Sequence, residues 1–335
     1  MRLASSGPWR DSTRNFGSVD AGTASAARPG YHINDRRYRA EGYQRAAAMS
    51  RGSNYDIAVL GCGLMGSAMA RRFSSSGLKV TAWNRTPGRA EALAADGVVP
   101  AATVEEAVAH TRLVVVCMSN TDATLATLDA APSLDGTTIV NVSDGTREDV
   151  EGLMLWLTER GANFLDGKTF CYPEQIGDQD AMLVFSGPAT VWAEHGPTLM
   201  LLGGRTRHLS DDIAAATELY LGSSAFFSIA LAGFIESADY LLRLGRSLEE
   251  IRGITLYCLE LLRYATEPVA SAIATERHET DQATIDVFAH GVRRIVGEMQ
   301  AAGTGSSVTE ALQTKLEAAV LAGNGHLGYA AQVLI

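Results

Sequence analysis

The sequence has 335 residues, of which 46% are hydrophobic, so the chain is long enough to bury the cores of two domains. Acidic residues outnumber basic ones by 38 to 28, which argues against a nucleic-acid binder, because such a protein needs a basic face. The four cysteines form no CxxC pair and the seven histidines show no metal-ligand spacing, which predicts a cytoplasmic protein without a bound metal. No apolar run reaches the ~18 residues that span a bilayer, so we expect no membrane segment.

The first 48 residues differ in composition from the rest of the chain. They contain eight arginines, no lysine, four acids and a single leucine, so they have little apolar surface to bury. We predict that residues 1–53 form a disordered extension. Three interpretations stay open: an over-long reading frame whose natural start is Met49, an arginine-rich targeting peptide, and an arm that binds a partner.

A glycine-rich turn follows the first predicted strand. The run YDIAVL (55–60) precedes GCGLMG (61–66), and a helical pattern comes next. This context makes the GxGxxG match a dinucleotide-binding site. The first glycine allows the tight turn, the second lets a pyrophosphate approach the backbone, and the third lets helix and strand pack closely. The cofactor-binding residues assigned here, at the start of the helix, are Gly61, Gly63, Leu64, Met65 and Gly66.

The end of the second predicted strand, KVTAW (79–83), indicates which nicotinamide cofactor binds. NAD sites usually place Asp or Glu there to bond the ribose 2′-hydroxyl, and a carboxylate would repel a 2′-phosphate. This chain has a neutral amide, a guanidinium that can pair with phosphate, and a hydroxyl, at Asn84, Arg85 and Thr86. The sequence therefore favours NADPH over NADH.

Strand-like runs continue to alternate with helical patterns up to about residue 146. This alternation predicts a parallel, doubly wound sheet, and we assign an α/β Rossmann domain to residues 54–210. Ligands bind at the carboxyl ends of such strands. The residues predicted to lie at those ends, beside the nicotinamide half of the cofactor, are Met118, Ser119, Asn120, Asn141 and Ser143.

With these motifs and several later ones, the chain resembles the NADPH-dependent imine reductases, a family within the wider group of β-hydroxyacid dehydrogenases. The most specific matching segment is YPEQIG (172–177), and the resemblance covers residues 55–335. It implies an enzyme that transfers a hydride from NADPH to the C=N bond of an imine or iminium ion. It also implies a long interdomain helix followed by an all-α bundle, together spanning residues 211–335, and a homodimer that exchanges these helices.

The stretch from about 212 to 243 is apolar or small at nearly every position. A helix that is hydrophobic on all sides must be buried on all sides, and a partner subunit is the natural cover. This pattern agrees with the implied homodimer. Further helical patterns follow near residues 247–265, 281–301 and 307–321.

The proton donor implied by the resemblance lies on this long helix. Hydroxyacid dehydrogenases of the group use a lysine there, but the three lysines of this chain, Lys79, Lys168 and Lys315, lie elsewhere, and we expect Lys168 in a loop. Imine reductases carry Asp or Tyr at that position. An alignment on the LY pair alone would put Leu221 there, whereas anchoring on the flanking segments from both sides puts Tyr220 there. We therefore predict the tyrosine type, with Tyr220 as the catalytic residue.

The side chains predicted to line the substrate pocket are Tyr172, Phe226, Phe227 and Glu236. Our first hypothesis is reduction of a small-molecule imine or iminium substrate, with reductive amination as a close variant. The alternatives are a hydroxyacid or carbonyl oxidoreductase that uses a different acid, and an NADP-binding partner protein without catalysis.

Overall fold

The computed structural model describes residues 54–335, so the extension predicted for residues 1–53 lies outside the described part of the chain. The first half of that part is a sheet flanked by helices. Its strands are β1 (Ile57–Leu60), β2 (Val80–Trp83), β3 (Val99–Pro100), β4 (Leu113–Val116), β5 (Thr138–Asn141), β6 (Asn163–Thr169), β7 (Leu183–Ser186) and β8 (Arg207–His208).

Helices connect these strands and then continue alone. Those of the sheet domain are α1 (Leu64–Ser75), α2 (Pro87–Glu91), α3 (Val104–Ala109), α4 (Thr121–Leu128), α5 (Arg147–Thr158) and α6 (Ala189–Leu199). The C-terminal helices are α7 (Ala215–Arg243), α8 (Leu248–Thr275), α9 (Ile285–Ala301) and α10 (Ser307–Leu321). The prediction of a Rossmann-type domain, a long connecting helix and a helical C-terminal part is confirmed.

The eight strands form one sheet in the order β3-β2-β1-β4-β5-β6-β7-β8. The pairings from β3 through to β6 are parallel, as predicted. The β6–β7 pair is antiparallel, because the chain returns without a long helical crossover. The strand order reverses between β1 and β4, so a cleft opens at the carboxyl ends of these two strands.

Alternate residues of the buried strands pack into two apolar layers, one on each face of the sheet. In β1, Ile57 and Val59 contact one layer, while Ala58 and Leu60 contact the other. A third cluster, between α9 and α10, forms the core of the C-terminal part. The strands whose ends form the cleft therefore belong to a sheet that is covered by apolar side chains on both faces.

Lys168 lies inside β6, paired with Val184 of β7, and not in the loop that we expected. The run DGKT has low intrinsic strand propensity, but all four of its residues pair with β7, and Asp166 also pairs with β5. Tertiary pairing has here overridden local preference.

Helix α7 is long and apolar enough to cross a membrane, by length and composition alone. The expectation that no segment reaches that length is therefore corrected, because glycine and serine residues are tolerated inside this helix and do not interrupt it. Its fully buried residues within one chain are Ala216 and Thr217, and large apolar side chains along the rest of it are exposed. Helix α8 extends to Thr275, ten residues beyond the predicted end.

Candidate active site

The glycine turn between β1 and α1 is shaped as the motif predicts. Gly61 has a φ of 101°, and a β-carbon there would collide with the carbonyl oxygen of Cys117. A β-carbon on Gly66 would likewise collide with the carbonyl oxygen of Gly61. At Gly63 a β-carbon would meet nothing within 4 Å, which leaves open space where the motif places a pyrophosphate.

The N-terminus of α1 is free to bind an anion. No side chain caps its first turn, where Leu64 and Met65 lie, so backbone N–H groups and the positive end of the helix dipole are available. Burial raises the pKa of the neighbouring Cys62 and Cys117 thiols to about 11, so neither adds negative charge beside the turn. These residues fit the pyrophosphate of a dinucleotide.

The end of β2 combines one structural residue with exposed polar ones. Asn84 Oδ1 accepts a hydrogen bond from Cys62 N (2.9 Å) and its Nδ2 donates to Thr86 O (3.0 Å), so this amide joins the strand end to the glycine turn. Arg85 and Thr86 are exposed, and Thr86 does not use its hydroxyl to cap α2. A second guanidinium, that of the exposed Arg89, lies close enough to lower the pKa of Cys62 in part. The two arginines and the hydroxyl fit a ribose 2′-phosphate.

The residues predicted beside the nicotinamide divide into an open set and a buried set. Met118 is half-buried and Ser119 and Asn120 are exposed, with Asn120 capping α4 through its Oδ1 to Ala123 N (2.9 Å). Asn141 and Ser143 are buried, and their polar atoms are bonded within the protein. Ser143 Oγ accepts from Met118 N (2.9 Å), so the buried set supports the loop after β4.

A buried ion pair lies next to the residues at these strand ends. Lys168 Nζ donates to Asp166 Oδ1 (2.9 Å) and to the carbonyl oxygen of Ser143 (2.9 Å), and Lys168 is 2% exposed. Asp166 also accepts from Asn141 Nδ2 (3.0 Å) and from the Thr217 hydroxyl on α7 (2.6 Å). Burial raises the pKa of the Asp166 carboxyl, and the Lys168 charge and these donated hydrogen bonds oppose the rise.

Tyr220 lies on α7, one turn beyond Thr217, and is half-buried. Its ring contacts the ring of Phe170, which follows β6, with the centroids 5.7 Å apart. Among the described residues nothing forms a hydrogen bond with its hydroxyl within the usual distance, so the phenol is available to a ligand. Two positions earlier, Glu218 is bound by the Arg147 guanidinium of α5 at 2.6 Å.

The residues predicted for the substrate pocket are separated along the chain. Tyr172 is exposed in the turn after β6 and Phe226 and Phe227 are exposed on α7. Glu236 lies about 24 Å along α7 from Tyr220, at 1.5 Å per residue. Its carboxylate accepts hydrogen bonds from Val308 N (2.8 Å) and Thr309 N (3.2 Å) at the start of α10. Within one chain it therefore caps a helix, and the predicted substrate contact stays a prediction.

No group of three or more His, Cys, Asp or Glu side chains that could hold a metal ion occurs within residues 54–335.

Two family models match successive parts of the chain. The NAD binding domain of 6-phosphogluconate dehydrogenase matches residues 56–210, and the C-terminal domain of NADPH-dependent reductive aminase-like proteins matches residues 212–334. A solved structure of an imine reductase from Pseudomonas sp. is 31% identical, with a TM-score of 0.81 over 83% of this chain and 98% of that one. The chain belongs to the imine reductase family.

Further relatives agree with that family. The reductive aminase from Aspergillus terreus in complex with NADPH4, cyclohexanone and allyl amine is 27% identical, with a TM-score of 0.79 over 83% of this chain and 97% of that one. An NADPH-dependent reductive aminase from Aspergillus oryzae is 28% identical over 288 residues, which is 83% of this chain and 95% of that protein. The resemblance inferred from the sequence is confirmed.

Sequence reasoning missed several residues of this imine reductase site. Arg89 had a signal, because it is a second arginine four positions after Arg85. The hydrogen bonds from Thr217 to Asp166 and from Lys168 to Ser143 had none, because they join residues 51 and 25 positions apart.

Proposed function

We propose that this chain reduces the C=N bond of an imine or iminium ion, with Tyr220 as the proton donor. The observation that carries the proposal is the position of Tyr220 on α7, with its ring beside the end of β6 and its hydroxyl without a partner in the described part of the chain. NADPH, when bound, supplies the hydride. The glycine turn binds its pyrophosphate, and Arg85, Thr86 and Arg89 bind its 2′-phosphate.

The role of the phenol follows from the chemistry of the substrate. An iminium carbon accepts a hydride directly, whereas a neutral imine also needs a proton at nitrogen. A phenol O–H within hydrogen-bond reach supplies or relays that proton, and such general acid catalysis contributes roughly 10²- to 10⁴-fold. Reductive amination is a second form of the same reaction, supported by the cyclohexanone and allyl amine in the Aspergillus terreus complex.

Hydroxyacid oxidation is the less supported alternative. The catalytic lysine expected for it is missing from α7, which contains no lysine. Lys168 is buried in the pair with Asp166, so its ammonium is already bonded. The absence of a lysine from α7 and the burial of Lys168 therefore both argue against oxidation of a hydroxyacid.

We also propose that the enzyme is a homodimer in which α7 and α8 exchange between subunits, so that both chains build each active site. Support comes from large apolar side chains exposed on both helices, including Phe226 (59%), Phe227 (52%) and Tyr264 (77%). Both ends of α7 are bonded to polar groups of its own chain, through Thr217 and Glu236, which favours a second copy over a lipid bilayer as the cover. Light scattering should give twice 35.6 kDa, and flotation with lipid vesicles would contradict the proposal. The cytoplasmic location stays a prediction.

The test of activity is NADPH absorbance with five- to seven-membered cyclic imines, beside NADP⁺ with simple 3-hydroxyacids. We expect imine reduction that falls at least tenfold in Tyr220→Phe. The matched control is Tyr55→Phe, because Tyr55 precedes β1 at the amino end of the sheet, opposite the cleft. Hydroxyacid oxidation without imine reduction would overturn the proposal, and NADPH binding without any turnover would favour a non-catalytic protein.

A further inference from the structure

Three successive residues fix the first turn of α7 to three different elements. Ala216 N donates to Ser186 Oγ of β7 (2.7 Å), Thr217 Oγ1 donates to Asp166 Oδ2 of β6 (2.6 Å), and Glu218 accepts from Arg147 of α5. The contacts of Ala216 and Thr217 are both buried, and that of Thr217 joins α7 to the Asp166–Lys168 ion pair. Because Tyr220 is one turn further on, its position depends on how this turn is held.

Strand β6 contacts the same part of α7 twice. Asp166, Lys168 and Phe170 alternate along the chain and therefore share one face of the strand. The carboxylate of Asp166 accepts from Thr217, and the ring of Phe170 meets the ring of Tyr220. These two contacts fix the distance of α7 from the sheet and the position of the Tyr220 phenol.

Lys168 extends this attachment to the other side of the cleft. Its ammonium bridges Asp166 Oδ1 and the Ser143 carbonyl oxygen, both at 2.9 Å. The Ser143 hydroxyl in turn accepts from Met118 N. An unbroken series of contacts therefore runs from α7 to the loop after β4, where we expect the nicotinamide.

Stability alone is a weak reason for such a pair. Taking two charges out of water costs several kcal/mol per ion, and apolar side chains of similar volume are often as stable or more stable. Asp166 is fully buried and Lys168 nearly so. A buried pair of this kind does give one fixed geometry, since its partners must all be bonded at once.

We infer that Asp166, Lys168 and Thr217 are positioning residues for imine reduction, which hold the Tyr220 phenol at a fixed distance from the strand ends that support the nicotinamide. The inference rests on the proposed function, because it assumes that Tyr220 acts on a substrate between these two sides. All three side chains are buried, so none of them is open to a substrate.

The first test compares Thr217→Val with Thr217→Ser. Valine keeps the shape and removes the hydroxyl, whereas serine keeps the hydroxyl that Asp166 accepts. We expect Thr217→Val to lower kcat about tenfold or more, because small misplacements of reacting groups are costly, with the KM for NADPH within twofold. The isotope effect on kcat with NADPH deuterated at the transferred position should rise. Thr217→Ser should stay within threefold of the wild type.

A second variant separates position from stability. The double variant Asp166→Leu with Lys168→Met removes both charges together, so no buried charge is left unpaired. We expect a cooperative thermal transition at a lower temperature than that of the wild type, because the buried Asn141 amide and Thr217 hydroxyl lose their acceptor. At temperatures well below that transition, kcat should be at least tenfold lower than in the wild type. Thr81→Val is the control, because it removes another buried hydroxyl, which donates to Val99 O (3.0 Å) of β3, at the far end of the sheet from β6.

The outcomes separate this inference from the proposed function. Wild-type turnover with kcat and isotope effect unchanged in Thr217→Val and in the double variant would overturn the inference and leave the proposed function intact. A loss in Thr217→Val that Thr217→Ser does not restore would also overturn it, since the hydrogen bond would then be irrelevant. A wild-type protein without imine turnover would overturn both.

Discussion

The ring of Phe170 meets the ring of Tyr220 edge-on, with the centroids 5.7 Å apart and the planes at 75°. Such a contact is worth about 0.5–1.5 kcal/mol beyond the area it buries. It restricts the position of the phenol ring.

Replacing Phe170 by leucine should therefore lower kcat by roughly three- to tenfold while the KM for NADPH stays unchanged. The control is Phe288→Leu, because Phe288 makes a similar edge contact with Tyr329, at 4.5 Å, in the C-terminal part. Steady-state kinetics with a cyclic imine measures both. An equal loss of kcat in the two variants would mean that the edge contact with Tyr220 has no special role.

Alanine at Gly63 should weaken cofactor binding, whereas alanine at Gly66 should lower the stability of the fold. Gly63→Ala meets no atom of the protein, so the fold should be kept, but its methyl group enters the space for the pyrophosphate and should weaken NADPH binding at least tenfold. Gly66→Ala collides with the Gly61 carbonyl and should lower the melting temperature or abolish folding. Fluorescence titration and thermal melting separate the two effects. Gly152→Ala in α5, also without steric conflict, should keep wild-type NADPH binding.

Arg85 and Arg89 should determine the preference for NADPH. A hydrogen bond to a charged group contributes about 1.5–3 kcal/mol, so Arg85→Ala and Arg89→Ala should each raise the KM for NADPH roughly 10- to 100-fold. The KM for NADH should change little, because NADH lacks the 2′-phosphate. Arg71→Ala is the control, since that guanidinium is paired with Asp96 at 2.7 Å. Equal effects on both cofactors would contradict the assignment.

His195 makes stability depend on pH. Burial lowers the pKa of this imidazole below its ordinary 6.5, and its Nε2 lies 2.9 Å from the Thr138 hydroxyl. The unfolded chain therefore binds a proton near pH 6.5 that the folded protein does not bind until a lower pH. Stability should fall as the pH drops below about 6.5, by up to ~1.4 kcal/mol per unit. Thermal melts between pH 7.5 and 5.5 should show a weaker dependence for His195→Gln, whereas the exposed His326→Gln should keep the wild-type slope.

Glu236 should affect stability more than substrate binding. Burial acts to raise the pKa of its carboxyl, but the hydrogen bonds from α10 together outweigh burial and lower the pKa. The contribution of Glu236 to stability is therefore present above the ordinary value of 4.5 and is lost as the pH falls. Loss of such a cap costs about 0.5–2 kcal/mol, so Glu236→Ala should melt several degrees lower. The KM for a cationic imine should change by less than twofold. A large rise in that KM without a change in melting would instead support the substrate contact predicted from the sequence.

The features that the sequence predicted best are those in which a local backbone conformation allows a single residue type. Gly61, with its positive φ, and Gly66, with its close contact, follow from the motif alone. The burial of Asn141 and Ser143 did not follow, because the end of a strand can face either a ligand or a neighbouring strand. The location of Lys168 in β6 could not be derived either, since it depends on strand pairing with Val184, 16 residues later, and on a hydrogen bond to the Ser143 carbonyl oxygen, 25 residues earlier.

The burial of Lys168 also decides how this enzyme can be attached to a solid support. The sequence contains three lysines, and in the folded protein Lys79 and Lys315 are exposed while Lys168 is not. Lysine-directed coupling to an activated resin would therefore proceed through one residue at the amino end of β2 and one on α10. Lys168, which bonds the same Asp166 carboxylate as α7, would stay unmodified, so the immobilised catalyst should keep its geometry.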